Sequence, residues 1–234
     1  MTVTAIIPAA GMGRRMGGAI PKPFLMLGGR PVLAHTLAQF ERCDAIDDVI
    51  LVIGTGDLHA GASEVVDYYG LTKVRKIISG GKERQDSVWE GLKAVEAGTE
   101  IVVIHDGVRP FVSTQCLLAS IEACHAHSAV ITAVPVKDTI KEAEEGSVTR
   151  TLDREKLWAI QTPQTFTRDL ITKAYGQAFA AGITATDDAA LVERLGHAVH
   201  LLRGSYDNIK ITTQEDLALG EIILKNLRRR STED

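Results

Sequence analysis

Arg14, Arg15 and Lys22 fall within nine positions of one another in the stretch PAAGMGRRMGGAIPKPF, residues 8–24. Cations this close repel one another in an empty loop, and an anion is their natural counterpart. Gly11 and Gly13 leave backbone N–H groups open to converge on phosphate oxygens. Arg15 offers a planar fork to such oxygens, and Lys22 a compact point charge. Pro21 and Pro23 restrict the backbone around Lys22, so less entropy is lost when its ammonium is fixed. A solvated basic turn is the bland alternative; a polyphosphate fits the residues better.

Two further segments belong with this loop. In VVIHDGVRPF, Asp106 ends an apolar run on the sheet edge from which the glycine loop also emerges. A carboxylate there, beside a triphosphate, is placed to bind Mg²⁺ directly or through water. Arg109 either meets substrate or pairs with Asp106. In SGGKERQDSV, Gly80 and Gly81 end a strand and Ser87 opens a helix. Such a turn suits contact with a base or ribose, although a helix cap also explains Ser87.

Other motifs fit less well. A dinucleotide fingerprint requires a third glycine where Met16 stands, and an acidic residue where the second strand runs into Gly54-Thr55-Gly56. The P-loop pattern is absent. Cys124-His125-Ala126-His127 ends a helix, where residues one and three apart do not converge on a metal. Strand alternation turns His105 away from the face of Asp106. His197 and His200 show no partner pattern, and capping of the helix DAALVERLG accounts for one of Asp187 and Asp188.

The elements that must position these residues alternate. VTAII, DVILVIG, VRKIIS, IVVIHD and AVITAVP read as buried strands, being apolar almost throughout. RPVLAHTLAQFERC, ASEVVDYYG, DSVWEGLKAVEAG and STQCLLASIEACHAH read as helices, with Val88, Trp89, Leu92 and Val95 on one face of the third. The repetition predicts an α/β fold: a mostly parallel sheet, helices on both faces, ligands outside the carboxyl ends of the strands. The rhythm breaks at residues 136–158, VKDTIKEAEEGSVTRTLDREKLW, a polar stretch with Gly146 at a hairpin turn. This reads as a protruding two-stranded arm, which needs something to pack on. Helical DLITKAYGQAFAAG and DDAALVERLG, the strand AVHLLRG and the helix TQEDLALGEIILKNL follow, before a frayed, solvated tail.

The 234 residues suit a single domain, here 1–234, carrying the arm. Apolar residues at 45% support a full core, and a net charge of -4 gives no basic surplus for nucleic acid or anionic membrane. No apolar stretch approaches the roughly 20 residues of a membrane span, and no secretory leader is visible. Cys43, Cys116 and Cys124, odd in number and placed in helices, read as reduced thiols of a cytoplasmic protein.

Eight blocks in order, PAAGMGRRM…PKPF, GGKERQDSV, HDGVRPF, VKDTI, LDREKLW, QTPQTF, TDDAALVE and DNIKITTQEDL, resemble the 2-C-methyl-D-erythritol 4-phosphate cytidylyltransferase family. They run from Pro8 to Leu217, nearly the whole chain. The resemblance implies a Rossmann-like nucleotidyltransferase that joins CTP to methylerythritol phosphate, releases pyrophosphate and serves isoprenoid synthesis by the non-mevalonate route. It implies that Arg15 and Lys22 stabilise the pentavalent α-phosphate and that Arg154 and Lys210 position the sugar phosphate. Thr139 and Thr186 become further substrate contacts; Ala9, Ala10, Gly11, Gly13, Gly81, Ser87 and Asp106 surround the nucleotide and its metal. It also implies a homodimer through the arm, with Thr139 and Arg154 reaching the neighbouring site. Gly107-Val108 and Pro23 depart from the residues common in the family. The alternatives are a ribitol 5-phosphate cytidylyltransferase, or a non-catalytic nucleotide-binding module on the same scaffold.

Overall fold

The computed structural model describes residues 2–10 and 21–233. Strands β1 (Thr2–Pro8), β4 (Asp48–Ile53), β5 (Val74–Ser79), β6 (Thr99–Ile104), β7 (Ala129–Pro135), β10 (Trp158–Thr167) and β11 (His200–Arg203) form one seven-stranded sheet in the order β11-β7-β10-β6-β1-β4-β5. All run parallel except β10, which is antiparallel to both β6 and β7. A small ribbon, β2 (Met26–Leu27) with β3 (Arg30–Pro31), stands apart from it.

Alternation along the central strands divides the core in two. Val3, Ala5 and Ile7 of β1, with Leu51 and Ile53 of β4, pack under α1 (Val32–Glu41), α2 (Asp57–Tyr68) and α4 (Thr114–His127). Ile6, Ile50, Val52, Val102 and Ile104 face α3 (Arg84–Ala94), α5 (Arg168–Ala180) and α6 (Asp188–Glu193). The closing helix α7 (Gln214–Glu233) sets Ile223 against Leu27, Val32, Phe111 and Ile211. Parallel strands buried on both faces need continuous apolar sequence, and the mostly parallel sheet covered on both faces stands as the sequence implies.

Several details differ from the sequence reading. β5 lies at the sheet edge and is only half-buried. β10 lies inside the sheet, third of the seven strands, although its sequence, WAIQTPQTFT, is polar and contains Pro163. A proline gives no ladder hydrogen bond, and the pairing with β7 shifts register between Ile160 and Gln164, around it. α7 continues to Glu233, so the expected frayed tail is helical through that residue. His200, assigned no partner from sequence, stacks on His127 with ring centroids 3.9 Å apart. Cys43 lies just beyond α1 rather than inside it.

The arm is a hairpin of β8 (Lys141–Glu144) and β9 (Ser147–Thr151), exposed along its whole length. Glu145 and Gly146 both have positive φ, 48° and 80°, as a tight two-residue hairpin turn demands. Arg150 pairs bidentately with Glu142 across it, at 2.6 and 2.7 Å. At its base, Arg154 Nη1 donates to the Lys137 carbonyl at 2.8 Å. Among the described residues no helix is long and apolar enough to cross a membrane.

Candidate active site

β1 and β6 are parallel neighbours, so the segments leaving their carboxyl ends emerge side by side. Ala9-Ala10 follows β1, and His105-Asp106 follows β6. Backbone bonds fasten the two together: His105 N–H donates to Ile6 O at 3.0 Å, and Gly107 N–H to Pro8 O at 3.1 Å. Thr36 Oγ1 donates to the Gly107 carbonyl at 3.0 Å from α1.

His105 builds the turn from beneath. The Arg109 carbonyl, 3.1 Å from Nε2, can only accept, so Nε2 carries the ring proton. Nδ1 is then an acceptor and takes the Thr162 hydroxyl at 2.9 Å. Thr162 Oγ1 in turn accepts the Asp106 N–H at 3.1 Å. Burial lowers the His105 pKa to about 4, keeping the imidazole neutral. The expectation that His105 faces away from Asp106 holds, and its role is to fix both ends of the Asp106–Arg109 turn.

Three cations converge on Asp106. Arg84 Nε donates to Oδ1 at 2.9 Å; Arg109 Nε and Lys210 Nζ reach Oδ2 at 3.2 and 3.0 Å. Burial alone would favour the protonated acid, but Arg84, Lys210 and Arg109 outweigh it and hold Asp106 far below the usual carboxylate range. Arg109 also donates from Nη1 to the Asn208 carbonyl at 2.8 Å, anchoring the segment that carries Lys210. Arg84 adds a bidentate pair with Asp188, at 3.0 and 2.8 Å. Burial works against the Arg84 charge, yet Asp188 and Asp106 raise its pKa well above the ordinary value. Three cations against two carboxylates leave one positive charge in a partly dry environment, a setting that attracts an anion.

This arrangement bears on the expectation that Asp106 binds Mg²⁺. Both carboxylate oxygens already face cations, and the group as a whole is positive. Among the described residues no cluster of three or more His, Cys, Asp or Glu could hold a metal ion. As placed, Asp106 organises cations, with both carboxylate oxygens paired to Arg84, Arg109 and Lys210.

On the far side of β1, the turn Gly80-Gly81 follows β5. A Cβ on Gly80 would stand 2.8 Å from that of Ala10, so this turn packs directly against the β1 exit. Ser87 is buried and is not the helix cap: Glu83 caps α3 and forms a capping box with Asp86. The Ser87 hydroxyl accepts from Gly81 N–H at 3.2 Å and donates to Glu83 O at 3.1 Å, tying the glycine turn to α3.

Lys22 opens a short 3₁₀ turn, Lys22–Phe24, half-buried and flanked by its prolines. Gly11, Gly13, Arg14 and Arg15 lie outside the described residues. Thr186 is exposed on the loop before α6, and Thr139 and Arg154 are exposed on the arm. Arg154 engages the Lys137 carbonyl of its own chain and not the Asp106 group. Sequence reasoning missed Arg84 and set Asp188 aside. Asp187 does the capping, accepting Ala190 N–H at 3.1 Å, while fully buried Asp188 serves Arg84. An acidic pair at a helix start with only one cap to make was the available signal.

Known proteins resemble this chain in sequence and in fold. The profile of the family 2-C-methyl-D-erythritol 4-phosphate cytidylyltransferase matches residues 3–226. The protein of that name from Geotalea uraniireducens is 51% identical over 229 residues, covering 97% of this chain and 98% of its own. Its namesake from Syntrophus aciditrophicus is 49% identical over 224 residues, covering 95% and 96%. Among solved structures, the 4-diphosphocytidyl-2C-methyl-D-erythritol synthase of Anaerococcus prevotii superposes with a TM-score of 0.86 at 38% identity, covering 96% of both chains. The 2-C-methyl-D-erythritol 4-phosphate cytidylyltransferase of Thermus thermophilus gives 0.80 at 35% identity, covering 96% of this chain and all of that one. With matches of this identity running end to end, the chain belongs to the 2-C-methyl-D-erythritol 4-phosphate cytidylyltransferase family.

Proposed function

We infer that this protein transfers CMP from CTP to 2-C-methyl-D-erythritol 4-phosphate. Pyrophosphate leaves, and 4-diphosphocytidyl-2-C-methyl-D-erythritol forms, a step of isoprenoid precursor synthesis by the non-mevalonate route. Beyond family membership, the observation that supports this reading is the net positive group Arg84, Arg109 and Lys210 around Asp106, beside the β1 exit. It provides an anion site next to the loop that would cradle a triphosphate.

The reaction needs little from the protein beyond placement and charge. An oxygen of the sugar phosphate attacks the α-phosphorus of CTP, and the bond to the bridging oxygen of the β-phosphate breaks. The electron pair leaves on pyrophosphate. A phosphate monoester is largely dianionic at pH 7, its second pKa being about 6, so no general base is required. Buried neutral His105 is accordingly occupied as a strut. The demand is stabilisation of accumulating negative charge, which Arg15, Lys22 and backbone donors of the opening loop would meet. Lys210 and Arg109 would hold the sugar phosphate, with Thr186 beside it. Ala9, Ala10, Gly81 and the Ser87-braced turn would take the nucleoside. Mg²⁺ would enter chelated by the triphosphate, as part of the substrate.

The arm supports a homodimer. An exposed hairpin has no core of its own, and a second copy offering its arm in return is the self-complementary solution. Thr139 and Arg154 would then complete the partner's site. Three unpaired cysteines suit a cytoplasmic protein, and the chain reads as one nucleotidyltransferase domain with this appendage.

Pyrophosphate release from CTP, measured with methylerythritol phosphate and with ribitol 5-phosphate, tests the assignment. Turnover with the first and little with the second is expected. Preference for ribitol phosphate would transfer the protein to the alternative activity, and release with neither would leave only nucleotide binding.

A further inference from the structure

Arg84 divides one guanidinium between two carboxylates. Its Nη1 and Nη2 donate to Asp188 Oδ1 and Oδ2, while Nε donates to Asp106 Oδ1 at 2.9 Å. Asp188 is fully buried at the first residue of α6 and also accepts the Tyr175 hydroxyl. Burial and the Asp188 charge both raise the Tyr175 pKa, so the phenol keeps its proton and donates. Asp187 already caps α6, so the helix has no need of Asp188.

We propose that Asp188 is a positioning residue for the transfer reaction: by holding two nitrogens of Arg84 it confines that side chain to Asp106 Oδ1 and reserves Oδ2 for Arg109 and Lys210. A guanidinium pairs best with a carboxylate fork on fork. Released from Asp188, Arg84 would be drawn onto both oxygens of Asp106 and would compete for Oδ2. Lys210 is the outermost of the three cations, its side chain 39% exposed against 28% for Arg84 and 12% for Arg109, and would be displaced first. The support is rigid. Gln85 donates to Ile183 O at 2.9 Å and accepts Ala185 N–H at 2.8 Å, clamping the start of α3 to the loop that leads into Asp188.

This inference rests on Lys210 acting on the sugar phosphate, and the experiment separates the two ideas. Steady-state kcat/KM for methylerythritol phosphate is measured for Asp188→Asn, Tyr175→Phe and Lys210→Ala, and for each of the first two combined with Lys210→Ala. Asp188→Asn should lower kcat/KM about 10-fold or more in the parent, yet less than about 3-fold where Lys210 is already absent. Tyr175→Phe keeps the Asp188 charge and the core shape, so it carries the test if Asp188→Asn does not fold. It should show a smaller loss, about 3-fold, that also vanishes in the Lys210→Ala background. Losses that multiply in full in both backgrounds would overturn the proposal and leave Asp188 a purely structural residue. Unchanged kcat/KM in Lys210→Ala alone would overturn the role of Lys210 itself, and with it this role of Asp188.

Discussion

Lys210 Nζ lies 3.0 Å from Asp106 Oδ2, the same oxygen that accepts from Arg109 Nε. Asp106 therefore acts as an anchor that gathers cations at the carboxyl edge of the sheet. Its stabilising effect has a definite pH range. The folded pKa is depressed, so the contribution is complete above the unfolded value of about 3.9 and is lost only as pH falls through the folded value.

The acidic limb of kcat/KM should consequently lie near pH 6, where the substrate phosphate takes up its second proton. A pH profile on the wild-type protein checks this. A limb centred near pH 4, where buried His105 takes up a proton, would mean that loss of the Asp106–Arg109 turn and not the substrate phosphate limits turnover.

His105 should govern acid stability. Its pKa is lowered to about 4 by burial, from the ordinary imidazole value of about 6.5. The stability it contributes is complete above about pH 6.5 and should fall progressively as pH drops to about 4, by about 3 kcal/mol. Urea melts across this range should show that slope in the wild type and a flatter one in His105→Gln, which is less stable at neutral pH but does not titrate. Parallel slopes in the two proteins would assign the acid sensitivity elsewhere.

Gly107 should set the fit of the nucleotide side. A Cβ there would stand 2.8 Å from Ala9 Cβ and 3.3 Å from the Pro8 carbonyl oxygen. Gly107→Ala must push the β1 exit outward, and overpacking of this kind costs about 1–3 kcal/mol. KM for CTP should rise about 3- to 10-fold, with a smaller change for the sugar phosphate, and Ala9→Gly in the same chain should restore it. A rise confined to the sugar phosphate would show that this contact shapes the other half of the site.

Arg154 should act across the dimer. Arg154→Ala and Lys22→Ala are each expected to be inactive alone, and exchange of their subunits places both mutations in one site and neither in the other. Activity should return on mixing. Exchange verified with labelled subunits and no recovered activity would mean that Arg154 serves its own chain.

Much of this architecture was legible in the residues. The runs in β1, β4, β6 and β7 are apolar because both faces are covered, and the polar stretch around Gly146 announced the arm. β10 escaped notice because its buried stretch is built from Gln161, Thr162, Gln164 and Thr165, polar side chains on both faces satisfied only by distant partners. Thr162 bonds His105, and Gln164 bonds Asp187 and the Ala189 N–H. Asp106 and Lys210 were identified, but their contact was not, because periodicity carries no information about pairing between remote loops. Arg84 and Asp188 each stand at a helix start, where a local explanation sufficed, and only the fold brings them together.

The division of labour between the two cation groups is the core of the account, and equilibrium titration of each substrate tests it most directly. CTP with Mg²⁺, and then methylerythritol phosphate in the presence of a non-hydrolysable CTP analogue, are titrated calorimetrically into the wild type and Lys210→Ala. Lys210→Ala should bind CTP as the wild type does and lose about 10-fold or more in affinity for the sugar phosphate. Loss of CTP affinity with unchanged sugar phosphate binding would contradict the account, because the group around Asp106 would then be the triphosphate site.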